Sequence, residues 1–134
     1  MANNELKQHS EGEKEKHRSW QNLLHEIDSI DYRDFVEYFF LRQKSQNRNL
    51  SYQNTATKMG TSKSYLKLVI DKKRHMSIEK VGKFCDVFKL SDQERQIFLF
   101  LFLRDTCSDK LIKEIFKTTL YSFVKFAFRG YKSI

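Results

Sequence analysis

Apolar residues recur at helical spacing along the chain from residue 19 onward. Trp20, Leu23, Leu24 and Ile27 fall at i, i+3, i+4 and i+7, which predicts a short amphipathic helix within 19–30, opened by Ser19. Its apolar face has to dock on the rest of the chain or on a second copy. Phe35, Val36, Phe39 and Phe40 continue the pattern in a helix capped by Asp31 or Ser29, fading at Gln46-Asn47-Arg48-Asn49. Ser51 opens a short helix that stops at Met59-Gly60, with Gly60 as its left-handed terminator. Thr61-Ser62 begins the next, Lys63 to Ile70. After the basic stretch Asp71 to His75, Ser77 caps a fourth helix with Ile78, Val81, Phe84, Cys85 and Phe88 facing inward.

The run Ile97-Phe-Leu-Phe-Leu-Phe-Leu103 would pass for a buried strand if taken alone. Ser91 and Glu94 before it form a capping-box signature, which favours a helix through Leu103 that is apolar all round and must be covered on nearly every side. Ser108 then precedes a last helix, from Asp109 to about Arg129. There Leu111, Ile112, Ile115, Phe116, Leu120, Phe123, Val124, Phe126 and Ala127 share one wide arc, opposite Lys110, Lys113, Glu114, Lys117, Lys125 and Arg129; Phe128 falls on the polar side. Residues 1–18 show no apolar period and mixed charge, as a disordered polar tail would. The expected organisation is therefore all-α: a tail (1–18), a short amphipathic helix (19–30), a five-helix domain (31–104) and a C-terminal amphipathic helix (105–134).

Composition agrees with that pattern. The 134 residues include no proline and four glycines, too few turn formers for a many-turned β architecture. Two cysteines, Cys85 and Cys107, make neither a disulfide framework nor a zinc motif, and His9, His17, His25 and His75 show no ligand spacing. The start of the chain has no apolar signal segment, and a seven-residue apolar run is too short to span a bilayer. A cytoplasmic protein is expected.

Charge changes the picture more by its placement than by its total of +8. Residues 21–41 carry one Lys/Arg against five Asp/Glu, whereas residues 42–90 carry twelve against three, a net +9. Such a block attracts a polyanion: nucleic acid first, then an anionic membrane or an acidic protein. It surrounds two short helices whose sequence has a recognisable geometry. Ala56 is small where a second helix would cross, Gly60 four residues on permits a positive φ, and Leu66 closes the pair with Val69. That spacing predicts a helix-turn-helix.

On these residues the chain resembles the lambda-repressor-like (Cro/repressor, XRE-type) DNA-binding domains over roughly Asp31 to Leu103. It is closer still to a poorly characterised bacterial family with such a domain near its N-terminus, through Asp31-Tyr-Arg-Asp-Phe, Leu50-Ser-Tyr, Tyr65-Leu-Lys-Leu-Val-Ile70, Lys73-Arg74, Met76-Ser-Ile-Glu-Lys and Lys89-Leu-Ser. Members of that family usually continue into a longer second domain, which the sequence to Ile134 does not include.

The resemblance implies that Lys63 to Asp71 is a recognition helix lying in the major groove of duplex DNA. Helical periodicity separately sets Lys63, Ser64, Lys67 and Asp71 on one face, opposite Tyr65, Leu68 and Val69. Lys63, Ser64 and Lys67 are the expected base-reading residues. Backbone phosphate is expected at Tyr52, where related domains often carry a glutamine, at the neighbouring Gln53, at the helix start around Ser62, and at Lys72, Lys73, Arg74 and His75. A reader of this size usually works as two copies on two half-sites, so a homodimer is expected, held by Phe98, Phe102, Ile112, Phe116 and Phe123.

The sequence contains no Gly-rich phosphate loop, nucleophile elbow or paired-histidine zinc motif. A non-enzyme without cofactor, metal or small-molecule ligand is expected. The alternative is an adaptor, whose basic aromatic C-terminal helix meets a protein partner or an anionic membrane.

Overall fold

The computed structural model describes residues 19–132, with side chains described to residue 127, and every regular element among them is an α-helix. In chain order these are α1 (Trp20–His25), α2 (Tyr32–Gln46), α3 (Tyr52–Met59), α4 (Lys63–Ile70), α5 (Ile78–Val87), α6 (Asp92–Thr106) and α7 (Lys110–Lys132). The expected tail over 1–18, with His9 and His17, lies outside the described residues, as do the side chains of Phe128 and Arg129. No described helix is long and apolar enough to cross a membrane.

Helix starts follow local chemistry. Ser19 accepts the Asn22 amide, and Asp31 with Asp34, Ser51 with Asn54 and Ser91 with Glu94 each form reciprocal capping boxes. Asp31, not Ser29, caps α2. Two starts depart from expectation. Ser77 precedes α5 without a side-chain cap, and its amide donates to the Tyr65 hydroxyl. The last helix is capped by Asp109 rather than Ser108: its Oδ1 accepts the Ile112 amide at 2.9 Å, and a carboxylate suits the positive end of the helix dipole.

Helix ends use the left-handed conformation three times. Gly60 adopts φ 71° after α3, as its position predicts. Lys72 and Lys89 do the same after α4 and α5, at φ 62° and 52°, and the amides of Lys73 and Leu90 reach back to the carbonyls of Leu68 and Cys85. A lysine there pays a steric penalty that glycine avoids. Lys89, exposed and without an ion pair among the described residues, is the cleaner test. Lys89→Gly is expected to stabilise the fold by about 1 kcal/mol in urea unfolding, and Gly60→Ala to destabilise it by a similar amount.

The core gathers aromatic side chains from four helices, α1, α2, α5 and α6. Phe39 of α2 lies 5.7 Å from Trp20, 6.3 Å from Phe84 and 6.1 Å from Phe98 between ring centroids, and Phe84 lies 5.2 Å from Phe98. Trp20 also meets Phe35 edge-on, so α1 docks on α2 of its own chain. Met59, Leu66 and Val69 bring α3 and α4 into the same buried cluster, which continues to Leu120, Val124 and Ala127 of α7.

The run from Ile97 to Leu103 is helical, and two sides of the molecule share its covering. Ile97, Phe98, Leu101 and Phe102 are buried; Phe98 and Phe102 both pack against Tyr32. Phe100 on the other side meets Phe116 and Phe123 of α7 at 6.2 and 5.2 Å. This corrects the expected dimer surface. Phe98 and Phe102 are spent inside the monomer, Phe116 and Phe123 are half covered by α6, and of the five residues only Ile112 remains exposed.

Two ionic clusters tie the helices together. Arg104, buried near the end of α6, donates to the carbonyls of Ile27 and Ile30 at 2.8 Å each and pairs with Asp105, which also accepts the Tyr32 amide. Arg42 of α2 grips Glu94 of α6 through two bonds, at 2.5 and 3.2 Å. Burial pushes the Glu94 carboxyl up, but the Arg42 guanidinium and the Ser91 amide outweigh it and hold it below its ordinary 4.5. Asp31 is likewise held below 3.8, its bonds to Arg33 outweighing burial. A depressed carboxylate stabilises the fold above its unfolded pKa, and that contribution is lost as pH falls through the folded pKa. Thermal melts from about pH 5 down to about pH 3 should therefore show falling stability, with a shallower fall in Glu94→Gln.

Candidate nucleic-acid interface

The α3–turn–α4 pair is built from small and apolar residues facing inward. Ala56, Met59, Leu66 and Val69 are buried, and α3 and α4 pack directly on each other. The turn is closed by the Thr61 amide on the Ala56 carbonyl at 2.8 Å. Lys80 of α5 caps the end of α3, its Nζ donating to the carbonyls of Met59 and Gly60. A cation at a helix C-terminus is favourably placed against the helix dipole, and here it also pins the turn to the next helix.

This packing leaves one face of α4 outward. Lys63, Ser64, Lys67 and Asp71 are all exposed, and neither lysine makes an ion pair among the described residues. Ser62 caps the helix by accepting the Tyr65 amide, so the first-turn amides of Lys63 and Ser64 have no acceptor within the helix. Tyr65 is half-buried and Val69 buried, as the periodicity predicts, but Leu68 is not inward: it is 38% exposed and borders Ser64 on the outer face. Its apolar character suggested the core. Its register on the helix, one turn after Ser64, carried the correct signal.

The loop after α4 is held from two sides. The Tyr65 ring lies 4.3 Å beneath the Arg74 guanidinium, and the Tyr65 hydroxyl accepts the Ser77 amide. The Tyr32 hydroxyl accepts the Met76 amide at 2.7 Å and lies 3.2 Å from His75 Nδ1, while Arg33 donates to the Arg74 carbonyl. Burial pushes the Tyr32 phenol up to about 12, so it stays neutral in this role.

The four expected phosphate contacts of the loop are consequently not equivalent. Lys72 is paired with Asp34 at 2.9 Å, Arg74 is stacked, and His75 is engaged by Tyr32. Among the described residues, Lys73 alone of the four has an unengaged side chain.

At the start of α3, the Tyr52 ring packs at a tilt against Phe40, 4.5 Å between centroids, and is half-buried, which raises its hydroxyl pKa. Tyr52, Gln53 and Lys63 line one shallow groove of about 400 Å³ with Phe40, Leu41 and Lys44. The structure thus brings the two expected α3 residues and Lys63, the first of the residues expected to read bases, onto one continuous surface. Lys72 instead borders a separate cleft of mixed charge, with Asp28, Asp31 and Asp105 beside Arg104, Lys113 and Lys117.

The cysteines lie apart from this surface. Cys85 is buried, and burial pushes its thiol up to about 11; Cys107 is half-exposed, with Sγ 3.5 Å from the Asp109 carbonyl. Set against known protein families, characterised proteins and solved structures, the chain matches none, and a functional assignment has to come from the chemistry of this face.

Proposed function

We propose that the chain is a sequence-specific double-stranded DNA-binding regulator of transcription, with α3 and α4 as a helix-turn-helix and α4 as the helix that enters the major groove. The observation that carries this is the outer face of α4, where two unpaired lysines flank a hydroxyl and an exposed leucine on a helix held rigidly from behind. Lys63 and Lys67 donate to guanine O6 and N7, Ser64 bonds to a base edge, and Leu68 meets a thymine methyl. Lys73, Arg74, Gln53 and the Tyr52 hydroxyl flank that face and suit backbone phosphate, which sets register and affinity rather than sequence choice. The resemblance to lambda-repressor-like domains over roughly Asp31 to Leu103 supports the same assignment, with the five helices α2 to α6 as the domain and a cytoplasmic, nucleoid-associated site of action.

Selection of bound duplexes from a random pool at moderate salt tests this. Enrichment of a short consensus is the expected result, palindromic if two copies bind together. Recovery of unenriched DNA, with affinity vanishing near physiological salt, would overturn it.

A further inference from the structure

Helix α7 covers α6 with only part of its apolar arc. Leu120, Val124 and Ala127 are buried, whereas Leu111, Ile115 and Phe126 are 73, 56 and 70% exposed and Ile112 is 45% exposed. With Thr119 and Ser122 these residues fall within an arc of about 100° at 3.6 residues per turn. The spacing Ile112, Ile115, Thr119, Ser122, Phe126 alternates three and four, the seam of a helix pair. The hydroxyls of Thr118, Thr119 and Ser122 bond back to the carbonyls of Glu114, Ile115 and Thr118, so this stretch spends its polar groups within the helix and shows methyl and methylene surface.

We propose that this stripe pairs with the same stripe of a second copy, antiparallel, across a two-fold axis beside Thr119 and Ser122. Three features select that occupant. No charge lies within the stripe, since Lys110, Lys113 and Lys117 project elsewhere on α7, so nothing there recruits an anionic partner. An antiparallel register sets Ile115 of one copy against Phe126 of the other and Thr119 against Ser122, bulky against bulky at the ends and small against small at the axis. It also brings Glu114 along the same flank as Lys125 of the partner copy, and neither residue makes an ion pair among the described residues. Within one chain they are eleven residues apart, about 16 Å along the helix, beyond direct contact.

Pairing through α7 deepens the two-copy part of the regulator reading and rests on it only for its purpose. Because pairing is measured without DNA, either can fail while the other stands. Sedimentation velocity of the full chain should show a monomer–dimer equilibrium. Ile115→Glu should weaken it about a hundredfold by setting an unpaired carboxylate against an apolar face, with unchanged circular dichroism, and with unchanged melting at concentrations low enough that the parent is monomeric, because the residue is exposed in the monomer. Glu114→Lys should weaken it as well, and adding Lys125→Glu should restore it, a rescue available only between copies. A parent chain that stays monomeric, or a dimer indifferent to both Ile115→Glu and Phe126→Glu, overturns the proposal. A monomer that binds phosphatidylglycerol vesicles and loses them on Ile115→Glu assigns the stripe to a membrane surface instead.

Discussion

Lys63→Ala combined with Lys67→Ala is expected to abolish sequence preference while leaving the fold intact. Both side chains are exposed and unpaired, so their removal should change stability by no more than about 0.5 kcal/mol. A good paired contact to guanine contributes about 1–3 kcal/mol of discrimination, so each lysine should cost roughly tenfold or more in preference for the selected site over random duplex. Lys73→Ala provides the contrast. As the unengaged cation of the loop, it should weaken all duplexes alike and reduce the slope of log affinity against log salt by about one. Arg74 is a poorer probe, because its guanidinium also packs on Tyr65 and its loss would disturb the loop. Leu68→Ala should relax choice at one thymine only. Competition binding at fixed salt reads all of these, and a double lysine variant that retains its preference would remove α4 from the reading role.

Arg104→Ala should be the most damaging single change in the molecule. The guanidinium is buried and holds the carbonyls of Ile27 and Ile30 together with Asp105, whose second oxygen is engaged by the Tyr32 amide. Removing it strands a largely buried carboxylate and two carbonyls, a change that typically costs about 3–5 kcal/mol. That is a large part of the stability of a domain this size, so the variant should melt far below the parent or fail to fold. Arg104→Lys should recover little, since one ammonium cannot span two carbonyls and a carboxylate in the geometry of the fork. Chemical denaturation of the two variants beside the parent reads the difference, and a loss below about 1 kcal/mol for Arg104→Ala would show that solvent replaces the clamp.

How much of this could be read from the residues differs between elements. Helix starts were legible because a cap is a bond between neighbours: Ser51 and Asn54, or Ser91 and Glu94, need no tertiary partner to meet. Gly60 was legible for the same reason, whereas the left-handed Lys72 and Lys89 were not, because lysine advertises no such conformation. At the candidate interface Lys63, Ser64 and Lys67 sit outward as their periodicity requires. Leu68 was misplaced because apolarity was taken as a mark of burial, and the one-sided cover over α4 leaves it outside. The basic loop after α4 also read as more uniform than it is, since Asp34 and Tyr32, about forty residues away in sequence, engage Lys72 and His75, and Tyr65 of the preceding helix folds back under Arg74.

The amino-acid order by itself determined an all-helical chain, most helix boundaries, the sharp turn at Gly60 and the concentration of positive charge around it. These are local quantities, settled by periodicity, capping and backbone freedom within a few residues. Only the tertiary structure decided which side of an apolar helix is spent internally. Periodicity marks a face as apolar without naming what covers it, so Phe98 and Phe102 passed from a dimer surface into the core, and the wide arc of α7 divided into a covered half and an open one. The Arg104 clamp belongs to the same category: its two carbonyl acceptors lie 74 and 77 residues away, and no local pattern could have brought them to it.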